Sequence, residues 1–261
     1  MPSRLRFLLA LLAIAGIAPA NASARQVVHL HTAFHPDRLG ASTTVAFDLV
    51  VKNTNGWVPA PVTNILVHFP AGMNPNVSEL GLGICEPNAL MDNGPQGCPH
   101  NSIVGFGTSF VEVAVGRTRV EESASIVTFF GPPKSQDEVL FYATGNSPVA
   151  ASLVFSGQLR AERGGEFGGA LETRVPLVET WPDGPYVALT HFESTLGPEK
   201  LTYHVRNHGK VEAFQPRGIA VPTRCPHGGF PFAAELTFTD GTKAAARSRV
   251  PCPASHYARR H

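Results

Sequence analysis

The chain has 261 residues with 21 Lys and Arg against 20 Asp and Glu, so a formal net charge of +1 gives no electrostatic reason for nucleic acid or an anionic membrane as partner. Only 16% of residues are charged, and there are 25 Gly and 23 Pro, a balance that favours a turn-rich chain with little helix. A hydrophobic content of 43%, with 16 Phe, excludes a disordered chain.

Residues 1–24 read as an N-terminal signal peptide. Arg4 and Arg6 form a basic start, Phe7 to Ala18 an apolar run, and Ala22-Ser23-Ala24 the small-x-small site of a signal peptidase. Ala18-Pro19-Ala20 is an alternative cleavage site, and an uncleaved anchor an alternative fate. The apolar run is short for a membrane span, and no later stretch reaches ~18 apolar residues, so no transmembrane span is expected in the mature chain.

From there the chain reads as strands. Runs rich in Val, Thr, Phe and Leu, set between Gly, Pro and Asn clusters, predict strands near Gln26–Phe34, Thr43–Lys52, Asn64–Phe69, Ile103–Val115, Arg119–Phe130, Glu138–Thr144 and Val149–Arg160. Further strands are predicted near Ala170–Pro176, Tyr186–Thr195, Lys200–Val205, Gly218–Pro222, Phe230–Phe238 and Lys243–Val250. The best helical candidate is a short turn at Glu86–Met91. So many short strands imply an all-β fold of one or two antiparallel β-sandwich (immunoglobulin-like) units. The expected division is a domain at 25–148 and a second at 149–261, joined near Gly145-Asn146-Ser147-Pro148, with one elongated sandwich as the alternative.

The four cysteines are Cys85, Cys98, Cys225 and Cys252. An even number in an exported chain points to disulfides, and neighbours are the favoured partners. The segment between Cys85 and Cys98 holds Pro87, Asn93, Gly94, Pro95 and Gly97, which can bring its ends together. For Cys225 and Cys252 the argument is register. A three-residue turn, Thr239-Asp240-Gly241, sets Phe230 opposite Val250, Phe232 opposite Ser248 and Leu236 opposite Ala244. Cys252 then lies close enough to Cys225 for a bend at Pro226–Gly229 to join them. Zinc is the competing reading, but no C-x-x-C is present.

Several short motifs follow one another along the chain. They are Phe69-Pro70-Ala71-Gly72, then Gly94-Pro95-Gln96-Gly97-Cys98-Pro99 after Cys85, then Ile103 to Thr108. Gly145 to Val149, Cys225 to Phe232 and the closing Val250-Pro251-Cys252 follow. This order resembles a group of secreted actinobacterial proteins of unassigned function and covers most of the mature chain. The resemblance implies a secreted β-rich protein with local disulfides; it carries no known activity, so it transfers no catalytic residues.

The residue patterns that could carry chemistry each have a plainer reading. His29 and His31 would share one face of a strand, as metal ligands do, or form the polar face of the first strand; the second is preferred. An N-terminal-histidine copper site fails, because cleavage after Ala24 starts the chain at Arg25. His204 and His208 lack the carboxylate of an H-E-x-x-H helix. Glu121-Glu122 and Asp137-Glu138 read as hairpin-end charges, since neighbours on a strand face opposite ways. The run Arg163–Gly169 is a glycine-rich hairpin loop without the helix of a phosphate site. Trp57 and Trp181 stand beside turns, where they cap a core or stack on a sugar. No G-x-S-x-G occurs. The expectation is a non-enzymatic secreted or cell-envelope protein, with no catalytic, cofactor-binding or metal residues and an extracellular partner of unknown kind. The alternatives are a hydrolase with its site built from distant loops, or a carbohydrate- or metal-binding module.

Overall fold

The computed structural model describes residues 25–73, 83–133, 138–145, 150–197, 203–214 and 219–253. The expected signal peptide, the 146–148 junction and the C-terminal tail lie outside the described residues.

The first half contributes β1 (Gln26–His35), β2 (Ser42–Asn53), β3 (Val62–Pro70), β4 (Ile103–Val115), β5 (Thr118–Phe130) and β6 (Glu138–Gly145). The second half contributes β7 (Ala151–Ala161), β8 (Phe167–Arg174), β9 (Ala188–Leu196), β10 (Tyr203–Asn207) and β11 (Lys210–Phe214). Last come β12 (Ile219–Ala220), β13 (Phe230–Phe238) and β14 (Lys243–Val250). The expected turn after Cys85 is a single helix, α1 (Pro87–Asn93), started by Pro87 and ended at Gly94. The all-β reading therefore stands. The expected sandwich is not confirmed.

Twelve strands join in one antiparallel sheet, ordered β1-β2-β9-β4-β5-β6-β7-β8-β3-β13-β14, with β12 paired to β2 and β10–β11 forming a separate hairpin. The sheet curls until β1 and β14 face each other, giving a nearly closed barrel. Side chains hold that seam. Both the backbone N–H and the hydroxyl of Thr32 donate to Ser248 Oγ, at 3.1 and 3.0 Å. The sheet also crosses the expected division after residue 148. Strand β9 lies between β2 and β4, and β3 between β8 and β13.

Two local features show how the sequence sets this curvature and register. In β4, a Cβ at Gly107 would fall 2.5 Å from the Glu193 carbonyl oxygen, so only glycine permits the close approach of β9 there. In the last hairpin, Gly241 has φ 77° and its N–H donates to the Phe238 carbonyl at 3.0 Å. Phe230 then pairs with Val250, Phe232 with Ser248 and Leu236 with Ala244. The Asp240 side chain accepts from the Thr242 hydroxyl and N–H at 2.6 and 2.9 Å, and the Thr242 hydroxyl bond leads in holding its carboxyl below the usual range.

Inside the barrel the two ends differ. At one end Phe34, Phe47, Phe69, Phe230 and Phe232 meet edge to face, with ring centroids 5.4 to 6.4 Å apart. Such pairs contribute about 0.5–1.5 kcal/mol each beyond the area they bury. The Cys225–Cys252 disulfide ties together the chain entering β13 and leaving β14 at this end. The Cys85–Cys98 disulfide instead closes the α1 segment over the outer wall, where Leu90 covers Phe129 and Leu140. Phe129 and Leu140 point outward from β5 and β6, yet are only 0% and 1% exposed because of this cover.

Candidate functional site

Above the floor made by Phe47 and Phe69, the other half of the barrel encloses a cavity of about 200 Å³. Its walls come from inward residues of the long strands, such as Leu30, Leu49, Ile126, Phe141, Leu153 and Phe155. It exceeds the ~150 Å³ of an apolar cavity that stays dry and takes up benzene. Pro176 and Leu177, in the β8–β9 connection, line the cavity and are also exposed, which places the mouth beside them.

That mouth has an apolar rim. Leu177, Trp181 and Tyr186 of the β8–β9 connection are 41%, 49% and 41% exposed, and Trp57 of the β2–β3 connection is 40% exposed. The β8–β9 connection is itself ordered: Glu179 pairs with Tyr186, and the Thr180 hydroxyl donates to the Pro185 carbonyl at 3.0 Å. The Arg119 guanidinium lies 5.9 Å from the Trp57 ring centroid and 3.8 Å from Glu112. Neither tryptophan caps the core, as its place beside a turn had allowed.

The polar side chains in the cavity wall are Ser109, Glu122, Thr173 and Ser194. Among the described residues no histidine or cysteine belongs to that wall, so those residues do not bring a serine and a histidine together in the cavity. Glu121 and Glu122 do face opposite ways. Glu122 points inward, diagonal to Ser109 and beside Gly145 of β6, where a Cβ would lie 2.5 Å from its Oε1. Glu121 points outward beside Glu112, whose carboxyl is pushed up by burial first and by Glu121, against the pull of Arg119. Asp137 lies outside the described residues.

Histidines gather on the outer wall. His191 Nε2 stands 3.0 Å from Asp48 Oδ1 and 3.3 Å from Glu193 Oε1, and the three donor atoms lie within 4.8 Å of one another. These spacings suit a hydrogen-bonded imidazole held between carboxylates, and also the ligands of a divalent cation with bonds of about 2.0–2.2 Å. Phe110 stacks on the His191 ring at 5.3 Å. His31 pairs in register with Asp48, and His29 with Val50, the neighbour of His191. The two histidines are exposed on the outer face, so they extend this patch and do not reach the cavity. His204 and His208 lie on the separate β10–β11 hairpin, away from any such group among the described residues.

No protein-family model, curated protein or solved structure matches the chain. The four cysteines are all paired, and none lies near the cavity mouth or the His191 patch. Sequence reading missed Glu122 and the Asp48–His191–Glu193 group for different reasons. Glu122 sits on the parity of Val120, Ala124 and Ile126, which was the available sign that it faces inward. Asp48 and His191 are 143 positions apart and meet only through the β2–β9 pairing.

Proposed function

We propose that the protein is a non-catalytic secreted or cell-envelope binding protein that holds a small apolar molecule inside its barrel. The observation that carries this reading is the cavity of about 200 Å³, apolar in its walls and open at an apolar rim. A preformed apolar cavity binds apolar molecules because they replace little hydration there and gain dispersion contacts on all sides. The rim of Leu177, Trp181, Tyr186 and Trp57 gives an incoming apolar molecule a surface to meet first. The export part of the proposal is supported by the two disulfides, which suit an oxidising compartment, and by the reading of residues 1–24. The resemblance to secreted actinobacterial β-rich proteins belongs to the same proposal. Among the described residues no helix is long and apolar enough to cross a membrane.

The test is capture of a neutral environment-sensitive dye, N-phenyl-1-naphthylamine, by the full chain. Fluorescence should rise on saturable binding in the wild type. Ala124 lines the cavity, and Ala124→Phe fills it, so this variant should bind the dye at least tenfold more weakly while keeping its far-UV circular dichroism. Equal binding by the two proteins would place the dye elsewhere and end this reading.

A further inference from the structure

The cavity wall contains one group whose chemistry is at odds with the rest of it. Glu122 presents a carboxylate to a space otherwise bounded by aliphatic and aromatic side chains and three hydroxyls. Its position is cut for it: Gly145 on the adjacent strand leaves free the place a Cβ would occupy, 2.5 Å from Glu122 Oε1. Among the described residues no cation or hydrogen-bond donor is paired with this carboxylate, whereas the outward carboxylates near it have partners. Arg119, the nearest basic residue along β5, is turned to the outer wall, toward Glu112 and Trp57. Glu122 also lies only a few residues from the β4–β5 turn, on the mouth side of the cavity, while the aromatic floor lies at the far end.

From this we infer that the bound molecule is an amphiphile with a protonated amine at one end, seated tail-first on the Phe47–Phe69 floor with its head group on Glu122. The inference rests on the binding reading above and narrows it by charge. A carboxylate in an otherwise uncharged wall attracts a cation and repels an anion, so a fatty acid of equal length is discriminated against. A hydroxyl head can donate one hydrogen bond to Glu122 without neutralising it, and should fall between the two. Ser109, diagonal to Glu122 on the same inner face, is placed to accept a hydrogen bond from a second N–H of an ammonium.

The experiment is competition of decylamine, decanol and decanoic acid against bound N-phenyl-1-naphthylamine near pH 7, with the full-length wild type and with Glu122→Gln. The variant keeps the shape of the side chain and removes its charge. Wild type should bind decylamine at least tenfold more tightly than decanoate, with decanol between. In Glu122→Gln that ratio should fall to about twofold or less. If Glu122→Gln fails to fold, Glu122→Leu gives the same comparison. Dye binding with decanoate as strong a competitor as decylamine overturns the head-group inference and leaves the apolar-binding reading intact. An amine preference that persists in the variant also overturns it, because it assigns the selection to the outer wall. No saturable dye binding in the wild type overturns both.

Discussion

The two ends of the barrel use the same strands for opposite purposes. At one end five phenylalanines fill the interior edge to face, and a disulfide holds the chain on either side of the last hairpin. At the other end the inward residues are smaller or set further apart, Ala124, Ala143 and Gly145 among them, and a cavity remains. Stability and binding are thus separated along the barrel axis.

The strongest way to break this comparison is to empty the packed end. Phe232 is fully buried and its ring meets those of Phe34, Phe47 and Phe69. Phe232→Ala should cost about 3–5 kcal/mol, measured by denaturant unfolding, with dye binding retained by the protein that remains folded. A loss below about 1 kcal/mol would show that the aromatic cluster is not where the fold is held. Next in size is the Cys225–Cys252 bridge, which closes 27 residues. Its double replacement by serine should cost roughly 3.5 kcal/mol in the chain-entropy account. The loss should match reduction of the wild type more closely than does loss of the Cys85–Cys98 bridge, which closes 13 residues on the outer wall.

The smallest effect concerns pH at the open end. Burial raises the Glu112 carboxyl above its ordinary value of 4.5, so the folded protein holds this proton more tightly than the unfolded chain. The protonated carboxyl therefore favours the fold fully below that ordinary value, and the contribution is lost as pH rises through the raised folded value. Glu112→Gln should flatten this part of the stability curve and should be the more stable protein above it. A wild-type curve that instead rises over the same interval would show that Arg119 outweighs burial and Glu121.

How much of this was readable in the sequence depends on how local the information is. The last hairpin was readable because parity, Asp240-Gly241 and the alternation from Phe230 to Phe238 all act within one turn of chain. The disulfide partners followed from the same short distances. The barrel was not readable, because closure depends on β9 entering between β2 and β4 and on β3 entering between β8 and β13. Alternating strands serve a sandwich and a barrel equally well, and only the order of pairing separates them. The cavity was hidden for a related reason. Ala124, Ala143 and Gly145 look like ordinary small strand residues until the opposite wall is known. Glu122 reads as a hairpin-end charge beside Glu121, although its parity belongs to the apolar set.

The seam between β1 and β14 has a consequence for the protein's life among other copies of itself. A fully closed barrel has no free strand edge, but here two edges face each other and are stitched by Thr32 and Ser248 side chains instead of a continuous backbone ladder. Their outward residues include Lys243, Arg247 and Arg249 on β14, and His29 and His31 on β1. Two molecules that met edge to edge would have to strip water from these polar and charged side chains. The charged side chains along the seam, Arg247 and Arg249 with their partner Glu166 among them, thus disfavour strand pairing with a neighbouring copy where the circle of hydrogen bonds is incomplete.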